Sequence, residues 1–183
     1  MVSAGATVYT ETITVTNRAR KGSPMPSITI ERIETYPIAL PFKSGFTTSF
    51  GLQTHKVCVL IELVTTDGIS GWGESSVELY PGYGSETVET ALHILRNFVI
   101  PRLLGETFDS PAAVTRAMAH VRGHHHTKFG IEAATWDALA KTQGIPLVKY
   151  FESFLPEGHT SRGHAVVGVS IGIQPSYEAT VDV

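Results

Sequence analysis

An α+β fold follows from three features of the sequence taken in chain order. Segments with strand-like alternation run up to Glu74 and are tied by the turn Thr66-Asp67-Gly68. From Ser85 onward the apolar residues switch to helical spacing. A run that is apolar on both parities apart from Ser170, Ala165–Ile173, then stands near the end. The expected architecture is a three-stranded antiparallel meander, a helical layer, and one strand of the kind buried on both faces.

Residues 1–26 are Thr-rich and end in Arg18, Arg20 and Lys21 followed by Gly22-Ser23-Pro24-Met25-Pro26. Val8–Val15 alternates as a strand would, yet the Gly/Ser/Pro stretch after it reads as a linker, so leader and extra strand both stay open. Ile28–Leu40 is the first firm strand. Ile28 and Ile30 share one parity, Ile33 breaks it, and Tyr36, Ile38 and Leu40 restore it, which predicts a bulge or bend. Pro37 has no N–H to give a ladder and places this end at a sheet edge. Pro41–Gly51 is expected to be a loop. Its phenylalanines, Phe42, Phe46 and Phe50, suit a flap over something apolar, with attachment to their own sheet as the alternative.

The second strand, Lys56–Thr66, carries Val57, Cys58, Val59, Leu60 and Ile61. Asp67-Gly68 accepts the left-handed backbone of a hairpin turn. Gly71-Trp72-Gly73-Glu74 closes the meander, and glycines inside a strand mark a bulge or a close approach by another surface. A second loop, Ser75–Gly84, bears Leu79, Tyr80, Pro81 and Tyr83.

In the helical half, Ser85 is expected to cap a helix with Glu86 and Glu89 in its first turn. Val88, Ala91, Leu92 and Leu95 supply its apolar stripe, Pro101 interrupts the pattern, and Gly105 ends it. Ser110-Pro111 is an N-cap followed by proline at the first helical position. Val114, Ala117, Met118 and Val121 form that helix's stripe. Ile131, Ala134, Thr135, Ala138 and Leu139 mark a longer helix that Gly144 stops. Trp136 and Asp137 lie off the stripe and should meet a neighbouring element. Pro146 opens a short helix over Leu147–Phe154.

Composition narrows the function classes. With 42% hydrophobic and 17% charged residues, the 183-residue chain has the profile of a soluble globular protein. A net charge of −3 offers no electrostatic basis for nucleic acid or an anionic membrane as partner. No apolar run approaches the roughly 18 residues of a membrane span, and the N-terminus lacks the apolar core of a secretion signal; cytoplasmic is the default expectation. The single cysteine, Cys58, excludes an intramolecular disulfide, and its apolar strand setting predicts a buried, inert thiol. His124-His125-His126 are adjacent rather than at i, i+4, so helix entry or a domain contact outweighs metal binding. Glu74 has no carboxylate partner at useful spacing and reads as a structural hydrogen-bonding group. Gly71 and Gly73 are not a dinucleotide fingerprint, since no helix with a third glycine opens there.

Pro41…Thr48-Ser49-Phe50-Gly51, Gly71-Trp72-Gly73-Glu74, Gly123-His124…Lys128…Glu132 and Gly168-Val169-Ser170-Ile171-Gly172-Ile173 occur in an order that resembles the enolase superfamily. More narrowly, residues 27–173 resemble the amino-terminal part of o-succinylbenzoate synthases and N-acylamino acid racemases. The resemblance implies a capping domain over 27–160 and the start of a truncated (β/α)₈ barrel over 161–183, which leaves 1–26 as the leader read above from the residues. It implies that the whole enzyme removes a proton next to the carboxylate of a small substrate, with a barrel lysine as base and Mg²⁺ stabilising the enediolate. It also implies that Phe50, Tyr80, Tyr83 and Ser170 line the substrate pocket, and that the surface packing on Gly71 and Gly73 is the barrel.

A complete barrel takes about 250 residues, whereas 19 run from Ala165 to Val183. The family's Lys-x-Lys strand and its three metal-binding carboxylates would follow Val183. No catalytic or metal-binding residue is therefore assigned, and the chain by itself is expected to be inactive. A fragment of such an enzyme is the favoured reading; a stand-alone cap that binds a separately encoded barrel is the alternative, and a homo-oligomer stays open.

Overall fold

The computed structural model describes residues 26–159 and 161–181. Most of the predicted leader, including Val8–Val15, lies outside the described residues. The meander is present: β1 (Ile28–Thr48) pairs antiparallel with β2 (Gly51–Thr65), and β2 with β3 (Ser70–Ser75). The turn between β2 and β3 places Gly68 at φ 77°, and the Gly68 N–H bonds Thr65 O at 2.8 Å. The parity break is a bulge, because Ile30 faces Thr65 while Arg32 already faces Val64.

Two features of the sheet differ from the sequence reading. A fourth strand, β4 (Thr107–Phe108), pairs with Ile28 and Thr29, giving the order β3-β2-β1-β4. Two residues carry no alternation to detect, so this strand has no sequence signature of its own. Beyond Thr29 the outer side of β1 is free of β4, which puts Pro37 at an edge as expected. The expected loop Pro41–Gly51 is instead largely hairpin, with Phe46 opposite Gln53, Thr47 opposite Leu52 and Thr48 opposite Gly51. The irregularity is confined to the stretch between Pro41 and Phe46, where the register slips. Aromatic and β-branched residues favour the pleated ribbon, and only Ser49 and Phe50 remain as the turn.

One face of the sheet makes the core. Ile28, Ile30, Val59, Ile61 and Leu63 are buried against helical residues that include Leu95, Val114, Met118, Ile131, Ala134 and Leu139. Each such aliphatic side chain contributes about 1.5–3 kcal/mol on burial. Cys58 is buried as expected, and burial pushes its thiol up, away from the reactive thiolate. On the opposite face Tyr36 and Trp72 stack at 5.8 Å. The Tyr36 hydroxyl shares its single proton between two carboxylates, with Glu34 the closer acceptor at 2.6 Å and Glu62 at 3.1 Å. The bond to Glu34 above all pushes its pKa up to about 12.

The helices are α1 (Val88–Ile94), α2 (Pro111–Ala117), α3 (His125–Thr142), α4 (Leu147–Glu152) and α5 (Tyr177–Val181). Thr87, not Ser85, caps α1: its hydroxyl accepts the Thr90 N–H while the Thr90 hydroxyl accepts the Thr87 N–H. Past α1 the backbone loosens into a π turn (Leu95–Val99) and a 3₁₀ turn (Ile100–Arg102) at Pro101. Ser110 caps α2 with Pro111 at its first position, and Gly144 follows α3 at φ 66°. Trp136 meets Tyr150, Phe151 and Phe154 around α4, the neighbour expected for it.

Ala165–Ile173 is not a strand. It is extended coil with Val166 88% and Val169 84% exposed. Backbone groups in a strand must pair on at least one side. Among the described residues this segment's one backbone bond to the sheet is at the tip of the first hairpin, where the Ile173 N–H donates to Thr47 O at 2.8 Å.

Candidate functional site: an aromatic cleft at one end of the sheet

The surface that lies against Gly71 and Gly73 is α3. A β-carbon on Gly73 would overlap the Gly130 carbonyl oxygen, and one on Gly71 would overlap that of Ala134 and come within 2.7 Å of Ala138 Cβ. The sequence assigned this contact to a barrel. The chain fills it with its own helix, whose small residues at 130, 134 and 138 allow the backbones to meet. Asp137 then reaches round the sheet edge: its carboxylate accepts the Trp72 N–H at 2.8 Å and the Lys141 ammonium at 2.7 Å, and Lys141 also donates to Ser70 O at 2.8 Å.

The group Gly123-His124…Lys128…Glu132 is a joint between α2 and α3. Gly123 and His124 take φ 66° and 51° to turn the chain into α3. Lys128 donates to Val121 O at 2.8 Å, and Glu132 accepts from Thr115 at 2.9 Å. His124–His126 thus serve helix entry. Glu74, half-exposed and opposite Leu60, makes no side-chain hydrogen bond to a described residue. The bond expected of it is absent because it lies on the sheet face away from the helices.

Ser75 is the last residue of β3, and the chain from there to α1 forms the second aromatic loop. Its two stems are fixed by Ser75 and Thr127, to which the sequence gives no functional role, and by Glu86, which was expected in the first turn of α1. The buried Ser75 hydroxyl donates to Thr127 O at 3.0 Å. Glu86, 7% exposed, accepts from the His126 N–H at 3.0 Å, the Thr127 N–H at 2.9 Å and the Thr127 hydroxyl at 2.6 Å. Burial raises the Glu86 carboxyl, but the bonds from Thr127 and His126 more than offset it and hold the group below its ordinary value. Glu86 therefore caps α3 from a distance instead of sitting in the first turn of α1. The Thr-x-x-Thr capping box one residue later was the signal that could have shown α1 starting after it.

From these stems the loop carries Tyr80 and Tyr83 to the turn of the first hairpin. The Phe50 and Tyr83 rings meet edge to face at 6.2 Å. A cleft of about 290 Å³ opens there, with Phe50, Leu52, His55, Glu78, Tyr80 and Tyr83 in its wall. Three of the four residues expected to line a pocket are thus together. Ser170 is not with them; it lies in the exposed 165–173 segment. The cleft has aromatic walls with one imidazole and one carboxylate, an arrangement suited to holding an apolar body. No three His, Cys, Asp or Glu side chains among the described residues come together as a metal site. The residues present do not make a Mg²⁺ site. Among them, too, no helix is long and apolar enough to cross a membrane.

Comparison with known proteins places this geometry. Residues 28–151 match the family model for the mandelate racemase / muconate lactonizing enzyme N-terminal domain. The chain is 38% identical to the o-succinylbenzoate synthase of Geobacillus kaustophilus, over 86% of this chain and 40% of that protein. It is 38% identical to the N-succinylamino acid racemase of Thermus thermophilus, over 84% of this chain and 40% of that one. Among solved structures, a member of the enolase superfamily from Listeria innocua superposes with a TM-score of 0.74 at 29% identity, covering 85% of this chain and 40% of that one. The chain spans about two fifths of the length of the curated relatives it matches.

Proposed function

From a chain that belongs to the mandelate racemase / muconate lactonizing enzyme family of the enolase superfamily through its N-terminal domain, we propose the function of a capping domain in an o-succinylbenzoate synthase-like enzyme. Its cleft covers the apolar body of a small carboxylate substrate. Phe50, Tyr80 and Tyr83 contact that body, and Ser170 reaches it only once its segment is paired inside a barrel. Proton abstraction next to the carboxylate, leading to dehydration or to racemisation of an N-acylamino acid, belongs to that barrel. Mg²⁺ would stabilise the enediolate there, on ligands that these residues do not supply. The 183 residues alone are expected to give no turnover.

The observation that carries this reading is the meeting of two aromatic loops, one the turn of the first hairpin and the other the connection from β3 to α1, at one end of the sheet. Nothing in the core requires it: Phe50 is 62%, Tyr80 74% and Tyr83 87% exposed. Large aromatic side chains held together in water mark a binding surface.

The test is a chimera in which residues 27–160 replace the matched portion of the Geobacillus kaustophilus relative. The expected result is Mg²⁺-dependent turnover of a succinylbenzoate precursor or an N-succinylamino acid, with Phe50→Ala and Tyr83→Ala each raising KM. A folded chimera inactive on both substrates, beside an active parent, overturns the reading. So does turnover by the 183-residue chain alone.

A further inference from the structure

Both stems of the 76–85 loop end on one residue of α3. Thr127, fully buried, receives Ser75 on its carbonyl oxygen and gives its N–H and hydroxyl to Glu86. These are three of the five buried polar or charged residues among the described ones, Ser75 and Thr127 at 0% and Glu86 at 7% exposure. The site is cleared for them: a β-carbon on Gly130 would come within 2.9 Å of Ser75 N. Above the lock the stems touch again, where Val88 N–H donates to Glu78 O at 2.9 Å and Glu78 bridges Thr87. Val77, between them, is 1% exposed. Beyond this base, Leu79, Tyr80 and Tyr83 are exposed, so the place of the aromatic rings is set from below and not by packing of the rings themselves.

We propose that Ser75, Thr127 and Glu86 form a buried polar lock that fixes the second aromatic loop on α3 and so sets the shape of the cleft. They are positioning residues that touch no ligand. The proposal rests on the reading of the cleft as a substrate-covering surface, but it makes a claim about the free chain. Polar groups are retained at such a site because the donors of a helix N-terminus point in fixed directions. An apolar replacement would bury the loop stems equally well without dictating where they stop. Leaving one member unpaired favours local opening of the stems by about tenfold or more, while the sheet stays closed.

The experiment is amide hydrogen exchange on the full chain and on Thr127→Val, Thr127→Ser, Glu86→Gln and Ser75→Ala. Reporter amides are Val77 and Val88 at the stems, with Val59 and Ile61 of β2 as reference. Thr127→Val and Glu86→Gln are expected to lose about tenfold or more of protection at the stems, with β2 unchanged. Thr127→Ser, which keeps every bond, should match the native chain. The close contact between the Phe50 and Tyr83 rings, seen as cross-relaxation between their protons, should weaken in Thr127→Val and persist in Thr127→Ser. If Thr127→Val and Glu86→Gln do not fold well enough to measure, Ser75→Ala, which removes one bond and leaves the cap intact, carries the test. Stem protection that is unchanged, or lost only in step with β2, overturns the lock. No ligand enters any of these readouts, so a lock that holds in a chimera without turnover would refute the proposed function alone.

Discussion

The contact between β3 and α3 sets a measurable limit on side-chain size. Neither Gly71 nor Gly73 has a left-handed backbone, so alanine at either position meets no conformational obstacle, only α3. In Gly73→Ala the new methyl group overlaps the Gly130 carbonyl and lies 2.7 Å from Ala134 N, both backbone atoms that no rotamer change can move. The helix itself must retreat from the sheet. Overpacking of this kind costs about 1–3 kcal/mol, and the rigidity of the neighbour puts Gly73→Ala at the upper end. Gly84→Ala is the control, with no atom within 4 Å; it should leave stability unchanged or raise it by up to about 1 kcal/mol. The assay is urea unfolding followed by Trp72 and Trp136 fluorescence, supported by thermal scans in which about 2–4 °C corresponds to 1 kcal/mol for a chain of this size. Combined Gly73→Ala and Gly130→Ala should cost less than the sum of the single changes, because one retreat of α3 serves both. Gly73→Ala within about 0.5 kcal/mol of the native chain would refute the close-contact account of the Gly-Trp-Gly pattern.

Three further outcomes are expected. Asp137→Ala leaves the Trp72 N–H without its acceptor and Lys141 with Ser70 O alone, and should destabilise by about 1 kcal/mol, reduced from the value for a buried charged pair because both bonds are exposed; Asp137→Asn, which keeps one oxygen, should cost less in the same urea assay. The folded-state pKa of Glu86 is depressed, so its contribution is present above the ordinary carboxylate range and is lost as pH falls through the folded value. Urea midpoints measured between neutral and acidic pH should therefore fall more steeply for the native chain than for Glu86→Gln. The 165–173 segment exposes Val166, Val167 and Val169 by more than 80% each, so the 183-residue chain should bind a hydrophobic dye and self-associate in light scattering. Val167→Lys combined with Val169→Lys should reduce both, and a dye-silent, monodisperse native chain would count against this.

Residues whose partners lie nearby in sequence were the easiest to read. The bulge after Ile30 announced itself as a parity break, and the caps at Ser110 and Gly144 follow from local backbone chemistry. The close approach at Gly71 and Gly73 was equally visible, but its partner was not, because the small residues of α3 look the same in sequence whether they face a strand or solvent. Glu86 misled for a related reason. An acidic residue before a helix suits that helix's own positive end, and nothing local reveals that another helix, 40 residues on, holds it instead. Phe50, Tyr80 and Tyr83 were placed together by resemblance, and the cleft brings them together. Ser170 was tied to a strand, but the described residues give its segment no strand partner, and both-parity apolar character alone does not supply one.

The two borders of the sheet are finished in different ways, with a consequence for how the protein can be extended. Along β3, Asp137 and Lys141 already occupy the outward N–H of Trp72 and the carbonyl of Ser70, so an incoming chain finds that border taken. Along β1, β4 covers Ile28 and Thr29, the backbone of Gly105 and Glu106 covers Ile30, and the border beyond is interrupted by Pro37 and Pro41, neither of which has a proton to offer. Growth by strand addition is thereby steered to the far tip of the first hairpin, past both prolines. There the Thr47 carbonyl already holds Ile173. Among the described residues, the hairpin tip that lies beside the cleft is where added backbone already finds a partner on this sheet.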